Sequence, residues 1–397
     1  MRTERLLRVL SAATFIIFFQ AFMVAPIIPR LSELFDKAPQ DIGLIVPAYL
    51  VPYGISTLAY SALADRIGLW RIMAASLAAF SLLTALTAAA NSIEQLAVWR
   101  ALTGICASGV VPLSLVLVGR LFPYERRGRP LGWLFGAMAG GMAFGSTFGG
   151  LLEPYIGWRG LFLVCGLIGA GMLVLLLPHR HLIAGTVQPA SGGFGALLRG
   201  YRDLLAMPRG QRTYAFVLIN SVFHSGVFTW LGLYFHQRYG LGPVGIGLAL
   251  LGYGVPGFLF GPIIGRAVDR MGRARLLPIG LLLGSVAAAF LIFDTPLVVA
   301  AVAVTVLSLG YDMTQPLFAG IVTSLSQQRP GQAMGLNVFA LFVGFGLGSL
   351  IFGELLRFGL GPALSWFAAV ELGLVLISLR VFRGERPIPA RQPTSDG

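Results

Sequence analysis

The chain has 397 residues, 56% of them hydrophobic and only 11% charged, with a mean hydropathy of +0.81. A soluble domain carries roughly 25% charged residues, so the composition excludes one and describes a membrane protein. The net charge of +13 does not imply nucleic acid, because Lys37 is the only lysine and the arginines cluster in short breaks between apolar runs.

The N-terminus, Met1 to Arg8, is basic and leads into an apolar run. That run is too long for a signal peptide and is followed by many more, so it reads as a retained first span. In chain order the spans fall at about 9–29, 43–63, 72–90, 96–118, 131–152 and 159–178, then 213–235, 243–265, 276–293, 297–322, 334–355 and 364–380. Each is long enough to cross a hydrocarbon core of roughly 30 Å. The expected fold is therefore an all-α membrane protein with twelve transmembrane helices. Residues 1–178 form one six-helix bundle, 179–212 a linker, and 213–397 a second bundle with a short tail. Within the linker, Phe194 to Met207 has apolar residues at helical spacing, which predicts an amphipathic helix in the cytoplasmic interface.

Alternate breaks differ in charge. Those following even-numbered spans, with both ends and the linker, hold 23 of the 29 basic residues. The positive-inside bias then places both termini and the linker in the cytoplasm of a cell's inner membrane. Cys106 and Cys165 sit singly in apolar segments and read as small hydrophobes. The four histidines, at 179, 181, 224 and 236, have no zinc spacing, and no Gly-Lys-Ser/Thr phosphate loop occurs. No enzyme, cofactor or metal is expected.

The chain repeats at half its length. Asp65-Arg66-Ile67-Gly68 recurs as Asp269-Arg270-Met271-Gly272, 204 positions on. Val111-Pro112-Leu113 matches Gln315-Pro316-Leu317, and Gly145 and Gly150 match Gly348 and Gly353. Parallel six-helix repeats of this kind build one large class of transporters.

These residues carry a family resemblance. The loops 63–68 and 265–273 resemble the signature loop of the major facilitator superfamily. Arg100-Ala101-Leu102-Thr103-Gly104 resembles its fourth-helix arginine motif. Residues 141–150 are similar to the Gly-rich motif of its 12-helix drug:proton antiporter branch, as is Gly157-Trp158-Arg159. The chain departs from these patterns at Ser61, at Ser146 and at Leu69-Trp70. The resemblance implies two pseudo-symmetric bundles that rock about a central cavity.

Site residues follow from cost. A charge at a helix centre costs roughly 2.5–3.5 kcal/mol on insertion scales, so each needs a reason. Asp65, Arg66, Gly68, Asp269, Arg270 and Gly272 are expected to latch the cytoplasmic ends. Asp312 in the tenth span is the expected proton-linked carboxyl, pairing when ionised with a cationic substrate or with Arg100 across the cavity. Arg100 either snorkels to the surface or handles protons or substrate, and Glu371 is the next candidate acid. Gln20, Asn220, His224, Gln315 and Asn337, with Phe18, Phe19, Phe22, Trp230 and Tyr234, are expected to line the cavity. Gly141, Gly145, Gly149 and Gly150 should let helices approach closely.

The function that fits is a monomeric secondary transporter exporting small organic or amphipathic compounds in exchange for protons. The alternatives are a sugar or organic-anion permease of the same fold, and a non-transporting membrane scaffold or receptor. The paired Asp-Arg loops count against the last.

Overall fold

The computed structural model describes residues 2–122, 128–184, 194–256, 259, 271–325 and 330–385, excluding the side chains of residues 2, 61, 62, 65, 66, 119, 128, 194, 196, 330 and 331. All regular structure among them is helical. Ten stretches are long and apolar enough to cross a membrane. One of them, Arg129–Ala184, contains both the fifth and the sixth spans, and the eighth span runs into undescribed residues. Ten such stretches are thus consistent with twelve crossings.

The first half begins with α1 (Arg2–Phe22), which stops short of the expected span end. A turn and a 3-10 segment, Ala25–Ile27, follow. The chain then continues as α2 (Ile28–Phe35) and α3 (Pro39–Gly43) through what the sequence suggested was an open break. Proline explains the interruption. Pro26 has no amide hydrogen, so the carbonyl of Phe22 has no helical donor. Next come α4 (Ile45–Ile67), α5 (Leu69–Thr87), α6 (Ile93–Ala107) and α7 (Val111–Leu121). The last two make one span broken ahead of Pro112. The helix α8 (Gly128–Leu176) bends at Gly157, where φ is +69°.

Two short segments lead into the second half: α9 (Arg180–Ala184) and α10 (Phe194–Ala206). The remaining spans are α11 (Pro208–Tyr239), α12 (Pro243–Ala249), α13 (Arg273–Phe290), α14 (Leu297–Leu325), α15 (Pro330–Leu355) and α16 (Leu360–Val381). The repeat is visible in the backbone. Gly68 and Gly272 both turn at positive φ, +99° and +76°, and so do Gly157 and Gly359, at +69° and +101°. Only glycine adopts such turns without strain.

Packing follows the two halves. In the first, α1 lies on α8, and α4 and α5 lie on α6. In the second, α11 lies on α15, and α13 on α14 and α16. The halves meet along two seams, α4 on α15 and α8 on α12.

The linker helix α10 does more than lie in an interface. Its Tyr201 and Leu204 are buried against Tyr214, Val322, Ala333 and Leu336 of the second half. The Tyr201 hydroxyl also donates to the carbonyl of Leu58 on α4, at 3.4 Å. It therefore straps the two halves together at the basic end, while Leu198 and Leu205 stay exposed.

At the same end, Glu385 ties down the last span. It accepts two hydrogen bonds of 2.8 Å from Arg209 and sits 3.4 Å from Arg212. Its backbone carbonyl accepts from the amide of Ala274, which opens α13. Burial alone would push the carboxyl up, but Arg209, Arg212 and Arg273 hold it below its usual range. A depressed carboxyl stabilises the fold above its unfolded pKa of about 4.3, and that contribution is lost as pH falls through the folded value. Glu385→Gln should therefore lower stability by about 1–2 kcal/mol at pH 7. The difference from wild type should begin to shrink as pH falls below the unfolded pKa of about 4.3 and vanish only below the lower folded value, which thermal unfolding in detergent across a pH series measures.

Candidate functional site

The halves meet at mid-depth through aromatic rings. Phe18 and Phe22 of α1 reach Phe342 and Phe228, with centroids 5.9 and 5.4 Å apart. Tyr53 of α4 stacks on Phe342 at 3.9 Å. Behind this layer, His224 stacks on Tyr311 at 3.7 Å, and Phe228 packs against Tyr253 at 4.3 Å. Ring contacts across the two halves need no fixed hydrogen bonds, so they can separate and re-form around another flat surface. Beside them lies a small cavity of about 10 Å³, room for a single water, lined by Ala21, Phe22, Val46, Leu50, Ser225 and Thr229.

Several expected cavity residues gather here. His224 Nε2 shares a short hydrogen bond with the hydroxyl of Tyr253. Asn220 donates to Thr314 Oγ1 at 2.8 Å. Gln20 is fully buried, and neither atom of its amide finds a partner among the described residues. The same holds for the Nε2 of Gln315, the Oδ1 of Asn337, and the hydroxyls of Tyr49 and Tyr53. Buried polar groups are normally paired, so unsatisfied ones around a ring cluster are what a ligand or water would satisfy. Trp230 is different. Its indole donates to the carbonyl of Ser349, and its ring fills the space left by Gly43 and Gly353.

Arg100 neither snorkels nor reaches across to Asp312. It is fully buried, and its guanidinium donates to three backbone carbonyls: Ile45 at 3.1 Å, Gln20 at 3.2 Å and Ala21 at 3.1 Å. Its charge lies 4.5 Å from the centre of the Tyr49 ring. The cause is the break in α1. The last carbonyls of a helix have no internal partner, and hydrocarbon supplies none. Arg100 caps that end and complements the negative pole of the helix. Gly104, one turn on, allows the close approach, since a Cβ there would lie 2.2 Å from the Tyr49 carbonyl.

Asp312, half-buried on α14, accepts from Ser308 Oγ at 3.0 Å. Glu371 is buried on the stripe of α16 that faces α13, away from the rings, and its oxygens have no hydrogen-bond partner among the described residues. The side chains of Asp65 and Arg66, and all of Asp269 and Arg270, lie outside the described residues.

The small face of α8 divides in two. A Cβ at Gly141, Gly145 or Gly149 would lie 2.3–2.5 Å from the carbonyls of Phe15, Phe19 or Met23, all on or just beyond α1. A Cβ at Gly150 would instead meet the Pro243 carbonyl at 2.6 Å, across the seam between the halves. Tyr253, Ser308 and Gly254 were not anticipated. The only signals for them were the Gly252-Tyr253-Gly254 triplet inside a span and the spacing of four between Ser308 and Asp312.

Two expectations follow. Lysine is a point charge that cannot span three carbonyls, so Arg100→Lys should lose about 2–4 kcal/mol of stability and most transport, as thermal unfolding and flux assays measure. An Arg100→Lys protein as stable as wild type would mean that the cap is dispensable. Gly145→Leu should destabilise the first half. Gly150→Leu should fold but fail to cycle, with a near-normal melting temperature and little turnover. Equal melting temperatures for the two variants would contradict the division of the face.

The sequence model of the Major Facilitator Superfamily matches residues 10–349 and 239–397. The tetracenomycin C resistance and export protein of Streptomyces glaucescens is 24% identical, over 84% of this chain and 72% of its own. The quinolone resistance protein NorA of Staphylococcus aureus (strain MSSA476) is 23% identical, over 92% of this chain and 93% of its own. The solved structure of a D-xylose–proton symporter superposes with a TM-score of 0.77 at 16% identity, covering 96% of this chain and 98% of that one. Carried by its two halves, its repeated glycine turns and its match along the whole length, the chain belongs to the Major Facilitator Superfamily of membrane transporters.

Proposed function

We propose that this transporter exports small amphipathic organic molecules by alternating access, in exchange for protons, with both termini in the cytoplasm of a bacterial inner membrane. The observation that carries this reading is the ring cluster between the halves, with Asp312 beside Tyr311 at its edge. Flat apolar surfaces can bind such rings, and one nearby carboxylate suits a cationic group. The similarity to the tetracenomycin C resistance and export protein supports the direction, and the similarity to a quinolone resistance protein fits it.

In this reading a proton and a cationic substrate compete for Asp312. Protonation on one face of the membrane neutralises the carboxylate and frees the substrate, and release of the proton on the other face restores the site. Glu371 is the reserve acid. The two Asp-Arg loops, Asp65-Arg66 and Asp269-Arg270 with Gly68 and Gly272, are proposed to latch the cytoplasmic ends when the site faces outward. The unsatisfied amides of Gln20 and Asn337 favour a second reading, a carbohydrate permease, since sugars offer matching hydroxyls.

Proteoliposomes with an imposed pH gradient, screened with dyes, organic cations and D-xylose, separate the two readings. Asp312→Asn should abolish uphill, pH-driven transport and leave downhill exchange of the same solute. Uphill accumulation by Asp312→Asn would move the coupling acid elsewhere, and uptake of D-xylose alone would favour the permease. In the same assay Asp65→Asn and Asp269→Asn should each slow turnover without loss of insertion. Full activity in both would remove the latch.

A further inference from the structure

The eighth span is interrupted where it should be continuous. After α12 ends at Ala249 the chain turns, and Gly254 has φ +75°, a conformation open to glycine. The Gly254 amide does not end in a helical hydrogen bond. It donates to Ser308 Oγ on α14 at 2.8 Å. Ser308 in turn donates its single hydroxyl proton to Asp312 Oδ2 at 3.0 Å. The direction of this chain is set by chemistry. An N–H occupies one side of the serine oxygen, so its own proton goes to the carboxylate.

The far side of Gly254 touches the other half of the molecule. A Cβ at Gly254 would lie 2.5 Å from the Cβ of Ala143 and 3.3 Å from the carbonyl of Ala139, both on α8. The same seam continues at Gly247, where a Cβ would lie 2.6 Å from the Thr147 carbonyl, and at Gly150 against Pro243. The bend at Gly254 therefore has Asp312 at one end of a two-bond chain and the seam between the halves at the other.

We infer that Ser308 is a positioning residue that transmits the charge of Asp312 to the α8–α12 seam through the Gly254 amide. With Asp312 ionised, the Ser308 bond is charge-assisted, and the polarised serine oxygen accepts more strongly from the Gly254 amide, which holds the bend against α8. With Asp312 neutralised by a proton, the assistance is lost, the amide is held less firmly, and the seam loosens. Among the described residues, the titratable groups around the chain include Tyr253 beside the bend, Tyr311 beside Asp312, and His224 of α11, which bonds the first and stacks on the second. The helix α13 brings Arg273 against Gly320, about two turns beyond Asp312. On α8, the atoms facing Gly254 belong to Ala139 and Ala143.

This inference rests on the proposed role of Asp312, and one set of variants separates the two. In proteoliposomes, Ser308→Ala should lower the pH-driven accumulation ratio about tenfold, toward that of Asp312→Asn. Ser308→Thr, which keeps the hydroxyl, should restore it. Spin labels at the exposed positions 152 and 248, introduced as Leu152→Cys and Leu248→Cys in a background free of Cys106 and Cys165, read the seam by electron–electron distance. Ser308→Ala and Asp312→Asn should shift that distance distribution the same way, and the double variant no further. If Asp312→Asn loses uphill transport while Ser308→Ala keeps both the wild-type ratio and the wild-type distances, the relay is overturned and the Asp312 reading stands. If Asp312→Asn still accumulates substrate uphill, the Asp312 reading falls and the relay falls with it.

Discussion

Hydrocarbon offers no partner to a backbone amide or carbonyl, and this constraint organises the molecule. A transporter needs interrupted helices, because a continuous rod has no hinge, yet every interruption exposes backbone groups that must be satisfied from within. The break in α1 leaves carbonyls at Gln20 and Ala21, and the guanidinium of Arg100 takes them. The break in the eighth span leaves the amide of Gly254, and the hydroxyl of Ser308 takes it. In each case a side chain from a different span is fixed to the hinge. The residues that make bending affordable are then also those that sense where neighbouring helices lie.

Glycine supplies the complementary half of the design. Within the first half, Gly141, Gly145 and Gly149 let α8 press directly on the backbone of α1 and its continuation. That contact is close and continuous, suited to a unit that moves as one body. Between the halves the contacts are of two kinds: small residues at Gly150, Gly247 and Gly254, and bulky rings at Phe18, Phe22, Tyr53 and Phe342. Both kinds lack fixed hydrogen bonds, so parting them costs contact area but leaves no stranded polar group. The strap through α10 is an exception, since Tyr201 does bond across to Leu58.

How these parts act together depends on where charge is placed. The ring cluster is apolar, and some polar atoms around it, such as the amide of Gln20, find no partner among the described residues. Arg100 is committed to backbone, so it does not neutralise Asp312. Asp312 accepts from Ser308, which connects it to a hinge. Glu371 sits in the packing between α16 and α13, away from the rings.

The number and order of the spans, the halving of the chain and the paired turns at Gly68 and Gly272 were all readable in the amino-acid order. Hydropathy and the repeat are local or periodic properties, and a bilayer converts them directly into architecture. The polar residues in spans could also be found one by one, because each is costly in hydrocarbon. What no local pattern determined was their partners. Arg100 meets carbonyls 55 and 80 positions away, Glu385 meets Arg209 across 176, and Gly254 meets Ser308 across 54. The pairing of Arg100 with Asp312, chemically natural on paper, failed because α1 breaks at Pro26 and presents carbonyls first. Sequence decides which groups need a partner, but only the packing of helices from distant parts of the chain decides which partner is within reach, because a hydrogen bond forms at about 3 Å or not at all.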